Sequence, residues 1–194
     1  MPYWPSTSKA MEELALHILD LLENALEAGA RHIQVTVNED AESDEISIEV
    51  QDDGRGMGAE ALQKALDPFY TTRTTRRVGL GLSLLQATAA QCGGNVAVES
   101  RPGQGTRVAA TMKLSHPDLP PLGDMGATIA AALSREEPVE LVYHHRRGPK
   151  EFHFSSAWLQ LHLGEVPLNC GPVLDWAQRY INKGVAELYG GEGK

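Results

Sequence analysis

The order of apolar patterns along residues 8–114 constrains the fold of this chain more than any other feature. A helical stripe begins near Ser8 and ends near Gly29. Next come two alternating segments around an acidic turn, in HIQVTVNEDAESDEISIEVQDD, and a short helix near 59–66. A helix in GLSLLQATAAQCGG and a hairpin in NVAVESRPGQGTRVAATMKL complete the series. This order predicts the α+β class, a two-layer sandwich of helices on a mixed, mostly antiparallel sheet.

The pattern stops at SHPDLPPLGD, a proline-rich stretch that predicts a linker over residues 116–124. A helix of small residues, strands around VELVYHH and KEFHFSS, and one or two further helices are predicted beyond it. We therefore expect one domain over residues 1–115 and a small C-terminal α+β region over residues 125–194.

The C-terminal region carries aromatic and histidine side chains. Trp158, Trp176 and Tyr180 lie on predicted helices and are most simply explained as core residues, whereas an exposed cluster would indicate an interface. His144 and His145 are neighbours on a predicted strand. Because successive strand residues point to opposite faces, these two histidines are not expected to share a metal ion.

Composition limits the classes of function. The formal net charge is −9, and acidic residues outnumber basic ones on both sides of the linker. Nucleic-acid-binding proteins usually show a basic surplus, so no nucleic-acid partner is predicted. No apolar run approaches the roughly 18 residues of a membrane span, and no signal peptide is evident, so we expect a cytoplasmic protein without membrane contact. Cys92 and Cys170 form no metal-binding pattern.

The stretch VQDDGRGMG, residues 50–58, combines glycines with the acidic pair Asp52 and Asp53. A carboxylate pair repels phosphate, so this loop is not a phosphate cradle. A calcium loop that starts at Asp52 would place glycines at its third and fifth positions and Gln63 at its twelfth, which excludes calcium. The second glycine motif, GLGLSL, has Leu84 at the third glycine position of a dinucleotide fingerprint and follows an arginine-rich segment. Glu99 lies near the sequence distance expected for a ribose-binding acid, but the missing third glycine still argues against a dinucleotide site.

The remaining interpretation is that the acidic pair faces a nucleobase. A carboxylate only accepts hydrogen bonds, and the exocyclic amino group of adenine donates them, so Asp52 suits adenine. Gly54 and Gly56 have no side chains and allow the backbone to approach a flat base. Guanine has a carbonyl oxygen in place of that amine, and would leave the acceptor unpaired.

The phosphates must then be bound elsewhere. Arg73, Arg76 and Arg77 supply positive charge, and the glycine-hinged start of the next helix supplies N–H groups. A magnesium ion bound by the amide oxygen of Asn24 on the first helix would help to balance the phosphate charge.

Five motifs in this order resemble the Bergerat-fold (GHKL) ATPases, a superfamily that includes histidine kinases, DNA gyrase and mismatch-repair ATPases. They are DLLENALEAGA, DDGRGMG, DPFYTTR, VGLGLSLLQATAAQCGGNVAVES and PGQGT, and the likeness covers roughly residues 8–114. The resemblance implies that the chain binds Mg-ATP with Asn24 as the magnesium ligand. It also implies that Asp52, Gly54, Gly56 and Met57 contact the base, with Thr106 supporting the adenine contact. The residues that it places around the nucleotide lid are Phe69, Gly79, Leu80, Gly81 and Leu82. For Met57, ordinary core packing stays open as an alternative.

The short lid is similar to that of the histidine-kinase catalytic domain, whereas LLENALEAGA with Glu27 is similar to mismatch-repair ATPases. Many hydrolysing members carry a glutamate four residues before the asparagine, and Asp20 occupies that position here. Asp20 and Asn24 are therefore the candidate catalytic residues. Because aspartate is one methylene shorter than glutamate, ATP binding is better supported than ATP hydrolysis. His116 lies among prolines that forbid the helix of a phosphoacceptor box.

The resemblance thus implies a Mg-ATP-binding module of the histidine-kinase type, a protein kinase or signalling ATPase without its own phosphoacceptor domain. A non-catalytic regulatory subunit is the first alternative, and a mismatch-repair-like ATPase switch is the second. We expect a partner or phosphoacceptor protein to bind through residues 116–194, and a homodimer is an open alternative.

Overall fold

A computed structural model describes residues 13–65 and 81–190. The helices of this part are α1 (Leu14–Glu27), α2 (Ala59–Ala65), α3 (Gly81–Gln91), α4 (Met125–Leu133), α5 (Ser156–Leu163) and α6 (Gly171–Leu188). Its strands are β1 (His32–Asp40), β2 (Glu45–Asp52), β3 (Asn95–Ser100), β4 (Thr106–Lys113), β5 (Glu140–Arg147) and β6 (Lys150–Ser155). The predicted helix start at Ser8 lies outside the described residues.

The strands form one sheet in the order β3-β4-β2-β1-β5-β6. All neighbouring pairs are antiparallel except β1 and β5, which are parallel. The helices pack on this mixed sheet, so the α+β prediction is confirmed. Since β2 ends between β1 and β4, its last residue Asp52 stands opposite Ile33 on one side and Thr106 on the other.

Helix α1 packs one apolar face onto the sheet. Leu14, Ile18 and Leu22 are fully buried, at the helical spacing of four residues. Each such leucine or isoleucine contributes about 1.5–3 kcal/mol to stability by its burial. The helix ends at Glu27 with Ala28 as its C-cap, and Gly29 follows with a φ of 76°, the left-handed conformation that glycine adopts without strain.

The C-terminal residues extend the same sheet. Strand β5 pairs with β1, and α4 packs between α1 and α6, where the Thr128 hydroxyl donates to the Ala15 carbonyl oxygen across 3.2 Å. Leu141 and Tyr143 of β5 are fully buried in a core continuous with that of β1 and β2. The division at residues 116–124 stays a prediction about domain organisation.

The aromatic residues of α5 and α6 are exposed, and the prediction that they belong to the core is wrong. The exposed fractions of Trp158, Trp176 and Tyr180 are 55%, 41% and 41%. Leu159 and Ala177 occupy the inward positions of their helices instead. The rings of Trp176 and Tyr180 stack on the solvent side with centroids 4.9 Å apart.

Candidate functional site

A cavity of about 880 Å³ lies between α1, α2, the start of α3 and the ends of β2 and β4. This volume is within the range of small-molecule and cofactor sites. Eight residues predicted from the sequence line it: Asp20, Asn24, Asp52, Gly56, Met57, Gly81, Leu82 and Thr106. The other predicted lid residues, Phe69, Arg73, Arg76, Arg77, Gly79 and Leu80, lie outside the described part of the chain.

Asp52 places a half-buried carboxylate on the cavity wall. Its Oδ1 atom accepts a hydrogen bond from the backbone N–H of Gly54 across 2.8 Å, which fixes the carboxylate at the end of β2. Burial raises the pKa of Asp52, and the Gly54 N–H opposes that rise. Gly54 itself is buried behind this contact, where a methyl group would lie 2.8 Å from the Ala28 side chain.

Asp53 binds residues at the start of β1 instead, so the prediction that the acidic pair acts together is wrong. Its Oδ1 accepts the backbone N–H groups of Arg31 and His32 at 2.7 and 2.8 Å, and its Oδ2 lies 2.7 Å from Nδ1 of His32. Slight burial raises its pKa, but the His32 and Arg31 contacts outweigh this and hold it at about 2. Asp53 therefore fastens the start of β1 and is not among the described residues that line the cavity.

Two glycines allow the loop after β2 to meet the turn before β4. Gly56 has a φ of 63°, and a methyl group on it would lie 1.9 Å from the Arg101 carbonyl oxygen. Gly105 has a φ of 78°, and a methyl group there would lie 1.8 Å from the Asp52 carbonyl oxygen. The motif PGQGT contains Gly105, but its role next to Asp52 emerges only from the strand pairing.

Ser100 is a second residue that sequence reasoning missed. Its hydroxyl donates to the Gly105 carbonyl oxygen across 3.0 Å and accepts from the Met57 N–H across 2.8 Å. Its oxygen also lies 2.9 Å from the Thr106 hydroxyl, and either hydroxyl can be the donor in this contact. Ser100 thus ties the glycine loop to the start of β4.

Asp20 and Asn24 lie one turn apart on α1, and both line the cavity. The Asp20 carboxylate lies against the first residue of α3, because a methyl group on Gly81 would be 2.8 Å from its Oδ2 atom. The N-terminus of a helix carries partial positive charge and unpaired N–H groups. An oxygen-rich pair thus faces an anion-attracting helix end across one part of the cavity.

His17 lies on α1 and is not among the described residues that line the cavity. It is buried, and its Nε2 atom lies 3.3 Å from the Thr88 hydroxyl of α3. Burial lowers the pKa of His17 to about 4.

Within residues 13–65 and 81–190, no helix combines the length and apolar character needed to cross a bilayer.

Comparison with known proteins agrees with this geometry. The sequence profile of the family described as histidine kinase-, DNA gyrase B- and HSP90-like ATPases matches residues 11–116. The chain is 33% identical over 110 residues to the non-motile and phage-resistance protein of Caulobacter vibrioides, covering 52% of this chain and 13% of that protein. It is 35% identical over 100 residues to the sensor kinase CckA of Brucella abortus, covering 51% and 10%.

An uncharacterized sensor-like histidine kinase of Rhizobium meliloti is 29% identical over 157 residues, covering 77% of this chain and 28% of that protein. The chain therefore spans less than a third of the length of these curated relatives. Among solved structures, the N-terminal domain of a DNA repair protein superposes with a TM-score of 0.55 at 15% identity, over 76% of this chain and 54% of that one. That likeness concerns the fold alone. With the profile match covering more than half of its residues, the chain belongs to the family of histidine kinase-, DNA gyrase B- and HSP90-like ATPases, and it contains an ATP-binding module of the histidine-kinase type.

Proposed function

We propose that this chain holds Mg-ATP in the cavity between α1 and α3 and transfers the terminal phosphoryl group to another protein. The observation that carries the proposal is the half-buried carboxylate of Asp52, fixed by Gly54 on the wall of a cavity large enough for a nucleotide. A buried acceptor of this kind needs a donor to offset its lost hydration, and the adenine amino group is such a donor.

The surroundings of Asp52 support adenine as the base. Gly56 and Met57 supply a backbone wall and an apolar side chain on the cavity, and Thr106 lines the same cavity from the position on β4 that pairs with Asp52. The Thr106 hydroxyl contacts Ser100, and because a hydroxyl can both donate and accept, it can also bind a second group or a water molecule. Adenine specificity would then rest on Asp52 with Thr106 as its support.

The triphosphate would extend from the base toward α3. The N-terminus of α3 begins at Gly81 on the cavity wall, and helix N-termini attract phosphate through their N–H groups and dipole. Asn24 offers an amide oxygen, a type of ligand that Mg²⁺ accepts, and Asp20 lies one turn before it on α1. When bound, Mg²⁺ would neutralise phosphate charge, and phosphoryl transfer in such a site rests on positioning rather than on a covalent step.

The acceptor would be a histidine or a hydroxyl group of a separate protein. The relatives named as sensor kinases are three to ten times longer than the part that this chain matches, so their acceptor and partner functions reach this chain only as a proposal. The exposed stack of Trp176 and Tyr180 on α6, with Trp158 on α5, supports residues 116–194 as the partner-binding part. A homodimer would use the same surface.

One observation favours a second candidate, a subunit that binds ATP without turning it over. Asp20 is shorter than the glutamate expected of a hydrolytic member, and its carboxylate is positioned against Gly81 at the start of α3. A carboxylate held there is drawn toward the helix end rather than toward an attacking water. Bound ATP would then hold the site in one conformation, and the partner protein would recognise that conformation.

Incubation with γ-labelled ATP and Mg²⁺ separates these functions. Transfer of label to the protein or to an added candidate acceptor supports the kinase, and it should be lost in Asn24→Ala, which removes the proposed metal ligand. Tight binding with neither transfer nor phosphate release supports the non-catalytic subunit. Absence of any ATP binding by the folded wild-type protein would contradict both.

A further inference from the structure

A group of two histidines and one glutamate lies on the hairpin β5–β6, away from the nucleotide cavity. His144 and His153 are direct cross-strand partners, and Glu151 precedes His153 by two residues on the same face of β6. His145 points the other way into the core, where its Nε2 lies 3.0 Å from Glu39, so the expectation that His144 and His145 face opposite sides is confirmed. The strand pairing creates a combination that chain order alone does not reveal.

The three side chains converge on one point. Nε2 of His144 lies 3.5 Å and Nε2 of His153 lies 3.7 Å from the same oxygen, Oε2 of Glu151. The ligand atoms of all three residues lie within 4.8 Å of one another. A Zn²⁺ ion with ligand bonds near 2.0 Å in tetrahedral geometry separates its ligand atoms by about 3.3 Å. The two nitrogen–oxygen separations, 3.5 and 3.7 Å, are close to this value, and the two imidazole nitrogens lie within 4.8 Å of each other.

The 3.5 Å contact with Glu151 is too long to give Nε2 of His144 a good hydrogen bond. Nε2 of His144 is shielded from solvent, and within the described ranges 13–65 and 81–190 it makes no hydrogen bond. A shielded imidazole nitrogen that faces a carboxylate and a second imidazole is an arrangement that a bound cation would satisfy.

We propose that His144, Glu151 and His153 form a three-ligand site for a divalent transition metal, with Zn²⁺ as the ion that this donor set fits. Two imidazoles and one carboxylate suit Zn²⁺, whereas Mg²⁺ and Ca²⁺ take oxygen ligands. The side chains of Glu151 and His153 are 61% and 58% exposed, so the fourth position is open to water or to a ligand from a partner.

The imidazole rings must rotate out of their present stack to bind the ion. They now stack with centroids 3.9 Å apart and an interplanar angle of 10°. A metal binds in the plane of each ring, so coordination opens the stack by rotation about the ring torsions, which are broad and soft. The bound ion would tie the edge strand β6 to β5.

Zinc titration of the untagged full chain tests the site. The titration uses a competing chromophoric chelator, no nucleotide, and excess Mg²⁺ so that oxygen-ligand sites are filled. We expect one equivalent of Zn²⁺ to bind, with affinity at least tenfold lower in His153→Gln and in Glu151→Gln. His162→Gln, which removes a histidine from α5, serves as the matched control and should change affinity less than twofold.

Cobalt supplies a readout of geometry. Co²⁺ in the wild-type site should give the strong visible absorption of four-coordinate cobalt, and His153→Gln should lose it. Because His153 and Glu151 are mostly exposed, both variants should keep the wild-type circular dichroism spectrum and ATP affinity. Equal Zn²⁺ affinity in the wild type, His153→Gln and Glu151→Gln, or a six-coordinate cobalt spectrum in the wild type, would overturn the proposal.

Discussion

The backbone carbonyl of Asp52 lies directly against Gly105, so close that a single methyl group on that glycine would approach the oxygen to 1.8 Å. Gly105 has a φ of 78°, which side chains also disfavour. The position of Asp52, whose carboxylate is proposed to bind adenine, therefore depends on a residue without a side chain in the turn before β4. We expect this contact to link the glycine turn to nucleotide binding.

Gly105→Ala should weaken both the fold and the site. The left-handed backbone alone costs about 1–2 kcal/mol in a residue with a β-carbon, and the clash with the Asp52 carbonyl adds to that cost. Because the clash displaces Asp52, ATP affinity should decrease at least tenfold even where the protein remains folded. Chemical denaturation and ATP titration measure the two effects.

Gly103→Ala is the matched control for this variant. Gly103 has a φ of 74° in the same turn, but nothing lies within 4 Å of the position of an added methyl group. It should lose about 1–2 kcal/mol of stability from backbone strain alone and keep the ATP affinity of the wild type. Equal effects of the two substitutions on ATP binding would contradict the role of the Gly105 contact.

Asp52→Ala should abolish ATP binding, whereas Asp20→Ala should spare it. The first substitution removes a charged acceptor worth about 1.5–3 kcal/mol to one donor and leaves the base without its anchor. Asp20 faces the start of α3, so its loss should affect turnover rather than binding. Isothermal titration with ATP measures both variants, and near wild-type affinity in Asp52→Ala would show that the base binds elsewhere.

His17 should make the protein sensitive to mild acid. Burial lowers its pKa in the folded protein to about 4, below the usual value of 6.5 that holds in the unfolded chain. Between these two pH values the unfolded chain binds more protons, so stability decreases as the pH falls from 6.5 to 4 and this contribution levels off below pH 4. The loss attributable to His17 should reach about 3 kcal/mol.

Urea denaturation of the wild type and His17→Gln between pH 7 and pH 4 measures this contribution. Glutamine does not titrate, so the stability of the variant should depend less on pH over that interval. The NMR titration of the His17 ring should give a midpoint near the expected pKa of about 4. Parallel pH profiles of the two proteins would rule out the assignment.

Gly184→Ala should destabilise the whole described structure through α6. A methyl group on Gly184 would lie 2.0 Å from the Phe152 ring, which packs between Tyr143 and Tyr180. Overpacking of this kind costs about 1–3 kcal/mol, and because β5 and β6 extend the sheet of β1, unfolding should remain one cooperative transition. Gly171→Ala, with nothing within 4 Å, is the control and should change stability by less than about 1 kcal/mol. Separate melting of the C-terminal part would show that it is an independent unit.

Local patterns predicted the elements and eight residues of the cavity wall, because helical stripes, strand alternation and glycine loops are properties of neighbouring residues. Local patterns could not show that Asp52 and Asp53 have different roles, because the register of β1 against β2 decides which carboxylate binds Arg31 and His32. The same limit applies to His144 and His153, which meet only when β5 pairs with β6.

The outward position of Trp176 was missed for a related reason. An amphipathic helix was expected to bury its largest apolar side chains, but α6 turns Ala177 and Ile181 inward and leaves the aromatic stack in solvent. The helical period gives two faces, and the packing partners decide which of them is buried.

Affinity for ATP and for inosine triphosphate tests the central claim most directly, because the two nucleotides differ in the group that Asp52 is proposed to recognise. Inosine carries a carbonyl oxygen where adenine carries its amino group, so the Asp52 carboxylate would meet an acceptor in place of a donor. The account predicts that inosine triphosphate binds roughly 10–150-fold more weakly than ATP, and that Asp52→Asn, whose amide can also donate, narrows this difference. Equal affinity of the wild-type protein for the two nucleotides would contradict the account.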